Sequence, residues 1–334
     1  MLRTVDYHTA GEPFRIVVDG APRIDGTSVR DRRETAQASA EIDGVRALLC
    51  HEPRGHADMY GCFLVPPDDE GADLGVLFWH KDGFSTACGH GTIALGEWAA
   101  RSGRVPADPD GVTEVRIDVP SGRVIARVRR SAGVTQEVTF RNVPAYVIAR
   151  GVHVQTSRGP VSVDVSYGGA IYASVRAQDL GLDVDPAHLT ELIVLGREIK
   201  AALSQSDVAR HPEDSRLDGI YGVIWWDDLG RTPDGPHQRN ATVFADGEVD
   251  RSPCGSGTSA RLALLGDEGT LHEGETLTHD SIIGTTFRGR VVEHVEDAGR
   301  PAVITEISGM AYPTGEHAFI LDERDPVGLG FVLR

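Results

Sequence analysis

Two short segments carry residue types that could do chemistry: Cys88-Gly89-His90-Gly91-Thr92-Ile93-Ala94-Leu95 and, far downstream, Cys254-Gly255-Ser256-Gly257-Thr258-Ser259-Ala260-Arg261. Each follows a strand-like run and opens a helix-like run. Each cysteine, with the amides behind it, therefore falls at a helix N-terminus, where four backbone N–H groups lack intrahelical partners. Such a terminus attracts anions through those amides and the helix dipole. It also lowers a cysteine's pKa from its free value of about 8.5. The glycines let a ligand approach the backbone and tolerate positive φ. Each segment thus offers an acid–base thiol beside room for a carboxylate-sized anion. If the two belong to halves related by an approximate two-fold axis, the thiols can face each other across a shared cleft. One would take a proton from a carbon while the other gives a proton to the opposite face, inverting a stereocentre without a cofactor.

The repeat extends beyond the cysteines. A phenylalanine stands ten residues before each, Phe78 and Phe244, inside valine-rich sequence. Further upstream, Val5-Asp6-Tyr7-His8-Thr9-Ala10-Gly11 is loosely matched by Val163-Asp164-Val165-Ser166-Tyr167-Gly168-Gly169, in the same order relative to the cysteine. A period this long indicates a duplicated domain, since solenoid repeats recur every 20–50 residues or so. The other two cysteines, Cys50 and Cys62, lack such a context and read as small apolar core residues.

The elements that position these segments are mostly strands. Gly75–Trp79, Glu114–Val119, Val124–Val128 and Val161–Val165 have strand length and β-branched content. An apolar stripe of Leu189, Leu192, Ile193, Ile199 and Leu203 predicts a helix over about His188–Ser204, and two more helices begin just after Cys88 and Cys254. The charge run Arg30-Asp31-Arg32-Arg33-Glu34 reads as a solvated helix face.

Composition narrows the function. The 334 residues suit two domains, and a net charge of −17 disfavours nucleic-acid or membrane-surface binding. No apolar stretch reaches the length of a membrane span, and Met1–Asp6 runs directly into strand-like sequence, so a cytoplasmic protein is expected. There is no Cys-x-x-Cys pair, hence no sign of a disulfide framework or cysteine-rich metal site. Lys81 and Lys200 are the only lysines, and neither context suggests a Schiff base to pyridoxal phosphate. The Gly-x-Gly elements lack the Gly-Lys-Ser/Thr ending and the longer dinucleotide fingerprint, which argues against a nucleotide. No cofactor and no metal are expected.

Ser85–Thr92 and Asp250–Thr258 resemble the two active-site motifs of the proline racemase family, which includes proline racemases, 4-hydroxyproline 2-epimerases and trans-3-hydroxyproline dehydratases. The resemblance runs through His8–Pro13, Glu52–Gly61, Tyr167–Ala170 and Asp322–Pro326, and so spans the chain. It implies an α+β fold similar to diaminopimelate epimerase: two pseudo-symmetric domains, each a curled sheet around a central helix, with the active site between them. The expected domains are 1–125, with 316–334 returning to it, and 126–315. By position in the motifs, Cys88 and Cys254 are implied to be the acid–base pair. Gly89, His90, Gly255 and Ser256 would hold the substrate carboxylate, Asp250 would accept from the ring nitrogen, and Tyr60 and Phe244 would wall the ring. The resemblance also suggests a homodimer acting on a small imino acid.

Several positions divide the branches. Ser256 and the Arg261-Leu262-Ala263-Leu264 that follows resemble the dehydratases, but that branch has threonine in place of the second cysteine, which is retained here as Cys254. The 4-hydroxyproline epimerases usually lack an aromatic residue at Tyr60 and carry asparagine at His56, and His237 is a poor match for their hydroxyl-binding histidine. The expected function is a cofactor-independent two-cysteine racemase or epimerase, with proline favoured. The alternatives are 4-hydroxyproline 2-epimerase and trans-3-hydroxy-L-proline dehydratase, with a non-catalytic amino-acid-binding protein as the reading from another class.

Overall fold

Alternating apolar and polar residues at the start of the chain form an antiparallel pair, β1 (Leu2–Thr9) and β2 (Glu12–Asp19). Helices α1 (Val29–Ala38) and α2 (Ala40–Cys50) then lead to β3 (Gly61–Val65), which lies parallel to β2. Antiparallel pairing continues into β4 (Leu74–His80) and the short β5 (Gly83–Phe84). Helix α3 (Gly89–Arg101) crosses to β6 (Val112–Val119), which is parallel to β4 and antiparallel to β7 (Gly122–Ser131), and β8 (Val134–Arg141) follows. Parallel neighbours require a crossover, usually helical, and the helices of this half stand where crossovers are needed.

The second half repeats the plan. After β9 (Tyr146–Thr156), the antiparallel pair β10 (Gly159–Tyr167) and β11 (Ile171–Arg176) leads through α4 (Leu189–Leu203) to β12 (Ile220–Thr232), parallel to β11. Antiparallel β13 (Gly235–Phe244) and β14 (Glu248–Asp250) precede α5 (Gly255–Asp267), which crosses to β15 (Leu277–Ser281), parallel to β13. Antiparallel β16 (Thr286–Asp297) and β17 (Arg300–Gly309) close this half. The last strand, β18 (Ala311–Phe319), returns to pair with β1 as β9 pairs with β10. The strands from β1 to β7 and from β10 to β16 therefore follow one order of parallel and antiparallel pairings.

The computed structural model describes residues 1–333, and it separates into two compact units: Met1–Val138 with the segment from Met310 onward, and Thr139–Gly309. In the first, α3 packs against β1, β2, β6, β7 and β18; in the second, α5 packs against β9, β10, β11, β16 and β17. Residues Gly89–Ala100 and Gly255–Leu265 are all buried. A helix surrounded by sheet needs no polar stripe, and both are mostly apolar or small, with His90 and Glu97 on α3 and Arg261 on α5 as buried exceptions. Each fully buried Ile or Leu on them contributes roughly 1.5–3 kcal/mol.

The strand-like runs lie in β4, β6, β7 and β10, and the predicted amphipathic helix is α4, with Leu192, Leu195, Ile199 and Leu203 buried. Cys50 and Cys62 are wholly buried core residues, and burial pushes the Cys62 thiol up. One expectation fails. The run Arg30–Glu34 lies on α1, but its arginines are not a solvated face: Arg30, Arg32 and Arg33 donate to the carbonyls of Pro120, Pro66 and Phe84. Those carbonyls need donors, and long arginine stems can stay packed while their guanidinium groups supply them. No helix among the described residues is long and apolar enough to cross a membrane.

Candidate active site

In the first unit, Cys88 caps α3 with extended backbone (φ −156°, ψ 103°), and its sulfur accepts from the Gly91 amide at 3.2 Å. That turn brings the thiol over the helix end, so a methyl group on Gly91 would lie 2.8 Å from the sulfur and 2.4 Å from the Phe14 ring. Glycine at this position is therefore a steric requirement. Both nitrogens of the His90 ring lie 3.5 Å from the Cys88 sulfur. Tyr60, just before β3, meets the His90 ring edge-on at 4.9 Å, and Phe14 on β2 packs against both rings. The Tyr60 hydroxyl is hydrogen-bonded to Ser85, and Thr9 at the end of β1 donates to the His90 carbonyl at 2.9 Å. The structure thus collects Cys88, Gly89, His90 and Tyr60 into one cluster.

The second unit builds its cluster from other groups. Cys254 caps α5 at φ +61°, ψ 98°, a region costly for a residue with a side chain. A methyl group on Gly257 would lie 2.9 Å from its sulfur. Asp250, the last residue of β14, accepts from the Ser252 amide at 2.8 Å, and the Ser252 hydroxyl accepts from the Cys254 amide at 3.1 Å. Burial pushes the Asp250 carboxyl up to about 6 despite the hydrogen bonds from Ser252. Burial, and then the charge of Asp250, push the Cys254 thiol up, opposite to the lowering expected at a helix N-terminus. Tyr172 on β11 places its hydroxyl 2.7 Å from the Ser256 hydroxyl and 3.8 Å from the Cys254 sulfur. Phe244 stacks on Tyr221, whose ring meets Tyr172 edge-on at 5.6 Å. Asp250, Cys254, Gly255 and Ser256 form one cluster, and Phe244 joins it through two tyrosines.

Each cluster provides a buried thiol, the amide-rich end of a buried helix and aromatic rings. Those parts can exchange a proton with carbon while the amides hold an anion. Sequence reading missed Phe14, Tyr172 and Tyr221. The only signal for Tyr172 was its place two residues after the Tyr167–Ala170 stretch. Among the described residues, one group has metal-ligand proximity: Asp183, Asp185 and His188. Asp185 already caps a helical turn there, accepting from the His188 amide at 3.0 Å, and the group includes neither cysteine.

The sequence matches the proline racemase family model over residues 4–332. A 3-hydroxyproline 2-epimerase from Burkholderia multivorans is 44% identical over 337 residues, covering 100% of this chain and 98% of the relative. A trans-3-hydroxy-L-proline dehydratase from Bacillus cereus is 40% identical over 330 residues, covering 99% and 97%. Among solved structures, a hydroxyproline epimerase from Agrobacterium vitis with bound trans-4-hydroxy-L-proline superposes with a TM-score of 0.92 at 31% identity, covering 99% of this chain and 95% of that one. That likeness bears out the expected α+β fold. A family match running almost from end to end leaves one assignment: this chain is an enzyme of the proline racemase family.

Proposed function

We propose that the enzyme epimerises the α-carbon of 3-hydroxyproline, with Cys88 and Cys254 each serving one face of that carbon. The expectation that favoured proline gives way here, because similar relatives are named for 3-hydroxyproline. The observation that carries the reading is the duplicated cap: each cysteine opens a helix buried over all but its last one or two residues, with its sulfur lying over a glycine. One thiolate takes the α-hydrogen as a proton, so that Cα–H breaks and S–H forms. The other thiol gives its proton to the opposite face. The carbanion-like centre next to the carboxylate is stabilised by the amides of Gly89, His90, Gly255 and Ser256, and exclusion of water strengthens that effect. Asp250 accepts from the ring nitrogen, while Tyr60 and Phe244 flank the ring. In this reading the chain's own residues supply every proton.

A second reading has specific support. Several relatives at 40–44% identity are named trans-3-hydroxy-L-proline dehydratase, and Ser256 with Arg261–Leu264 fits that branch. In dehydration, one thiolate removes the α-proton, the C3–O bond breaks as a side-chain acid gives the hydroxyl a proton so that it leaves as water, and a ring double bond forms between Cα and C3. Retention of Cys254 supports epimerisation over this path. Incubation in D₂O with trans-3-hydroxy-L-proline, trans-4-hydroxy-L-proline and L-proline separately, followed by proton NMR, distinguishes the readings. Epimerisation predicts deuterium at Cα and a second diastereomer of 3-hydroxyproline with its C3 hydroxyl intact. Loss of that hydroxyl identifies the dehydratase, and inversion confined to L-proline overturns both.

A further inference from the structure

We propose that His279 is a positioning residue for Cys254, holding through Thr258 the turn that aims the cysteine's sulfur. The inference rests on the reading of Cys254 as an acid–base group.

A non-glycine residue at φ +61° persists only where its surroundings over-determine it. Around Cys254 they do so at three backbone atoms. The Cys254 amide donates to the Ser252 hydroxyl, its carbonyl accepts from the Thr258 amide at 2.7 Å, and the preceding carbonyl, on Pro253, accepts from the Thr258 hydroxyl at 3.1 Å. A hydroxyl has one hydrogen. With that hydrogen on the Pro253 carbonyl, the 2.8 Å contact between Thr258 Oγ1 and His279 Nδ1 must have the imidazole N–H donating. This fixes the Nδ1–H tautomer.

The rest of the ring agrees. His279, on β15, is wholly buried, and its Nε2 has no hydrogen-bond partner among the described residues. The other tautomer would bury an unpartnered N–H there, whereas Nδ1–H leaves only a lone pair. Burial, followed by the nearby Arg261 cation, pushes His279 down to about 3, so the imidazole stays neutral at working pH. In the first unit the matching threonine behaves differently: Thr92 donates to the carbonyl of Cys88 itself, at 2.8 Å, and Cys88 has ordinary extended backbone. The relay therefore goes with the strained copy of the motif.

The test uses His279→Ala, His279→Asn, Thr258→Val and Thr258→Ser. An asparagine amide can donate from near the Nδ1 position, and serine keeps the hydroxyl. Two readouts are taken on the whole protein: alkylation of Cys254 relative to Cys88 by iodoacetamide, followed by peptide mass mapping, and kcat and KM for 3-hydroxyproline. In the alanine and valine variants Cys254 should alkylate several-fold faster relative to Cys88, and kcat should fall about ten- to a hundredfold with KM little changed. Asparagine and serine should largely restore both. An unchanged alkylation ratio in the alanine variant, or an asparagine variant as impaired as alanine, overturns the relay. If His279→Ala does not fold, the valine and serine pair carries the same comparison. If no imino acid is turned over, the proposed function fails, while the alkylation ratio still decides the relay.

Discussion

Cys88 caps its helix with extended backbone, beside an imidazole and a backbone N–H; Cys254 caps its helix at φ +61°, beside a carboxyl and a phenol. The motif letters are nearly the same, so the difference comes from a few positions around them. Four residues before the cysteine, the first copy has Phe84 and the second has Asp250; two residues after it, His90 is matched by Ser256. Both sulfurs have donors, the Gly91 amide at Cys88 and the Gly257 amide with the Thr242 and Tyr172 hydroxyls at Cys254, and the second copy adds the Asp250 carboxyl as a potential anion. Duplication preserved the cap and the fold, while the neighbours assign the two sulfurs different electrostatic settings. In the proposed epimerisation one sulfur must hold a proton while the other lacks it, and such a difference would serve that.

The largest expected effect tests whether both copies work. Cys88→Ser and Cys254→Ser should each lower epimerisation of 3-hydroxyproline by about 10²–10⁴-fold, because a serine hydroxyl neither gives nor accepts the proton well at neutral pH. Chiral analysis of the product checks this. If either variant retains near-parental inversion, that copy is not an acid–base group and the comparison loses its functional meaning.

Next come the glycines beneath the sulfurs. Gly91→Ala would push a methyl group to 2.4 Å from the Phe14 ring, while Gly257→Ala meets the Cys254 sulfur at 2.9 Å and Ile224 at 3.2 Å. The alanine at 91 has rigid ring atoms to displace, so its loss of activity should be the greater, about a hundredfold. Equal effects would show that steric support of the two thiols is the same.

The third test is of reactivity. Iodoacetamide should modify Cys88 before Cys254 in the empty protein, because burial and then the Asp250 charge hold the Cys254 thiol up in spite of donors from Gly257, Thr242 and Tyr172. Timed alkylation with mass mapping reads the order directly. Reversal would place the more nucleophilic sulfur in the second unit.

How much of this was legible in the sequence follows from what each feature depends on. The cysteine caps are local: strand, turn and helix lie within twenty residues, and the helices begin at Gly89 and Gly255, just after the cysteines. The duplication was visible because two copies could be compared. What remained hidden depends on contacts between distant residues. Tyr172 meets Ser256 across 84 positions, and Thr258 meets His279 across 21, with no periodicity linking either pair. The strain at Cys254 was equally invisible, since nothing in the letters of the motif separates φ −156° from φ +61°. Tyr60 could be placed with His90 only through a resemblance to known proteins, because edge-on ring packing leaves no sequence pattern.

The smallest expected effect concerns stability and isolates Asp250. Its carboxyl is buried, and that burial raises its pKa from 3.8 to about 6. The folded protein therefore holds this proton more tightly than the unfolded chain does. As pH rises from about 4 to 6 the unfolded chain gives up the proton first, so this group's contribution to stability falls across that window and stays low above it. Asp250→Asn keeps an oxygen that can accept from the Ser252 amide but cannot ionise. Below about pH 4 the variant and parent should melt together, and by pH 7.5 the variant should be more stable by of order 1–3 kcal/mol. No counterpart is expected in the first unit, where Phe84 occupies the matching position. Thermal melts of both proteins across that pH range give the answer. A variant that is no more stable than the parent at pH 7.5 would mean that the carboxylate is well solvated or paired, and the contrast that Asp250 draws between the two thiol sites would not stand. A gain in stability would instead mark Asp250 as a charge kept in place against the fold's own preference, as a group that must accept from a substrate nitrogen would be.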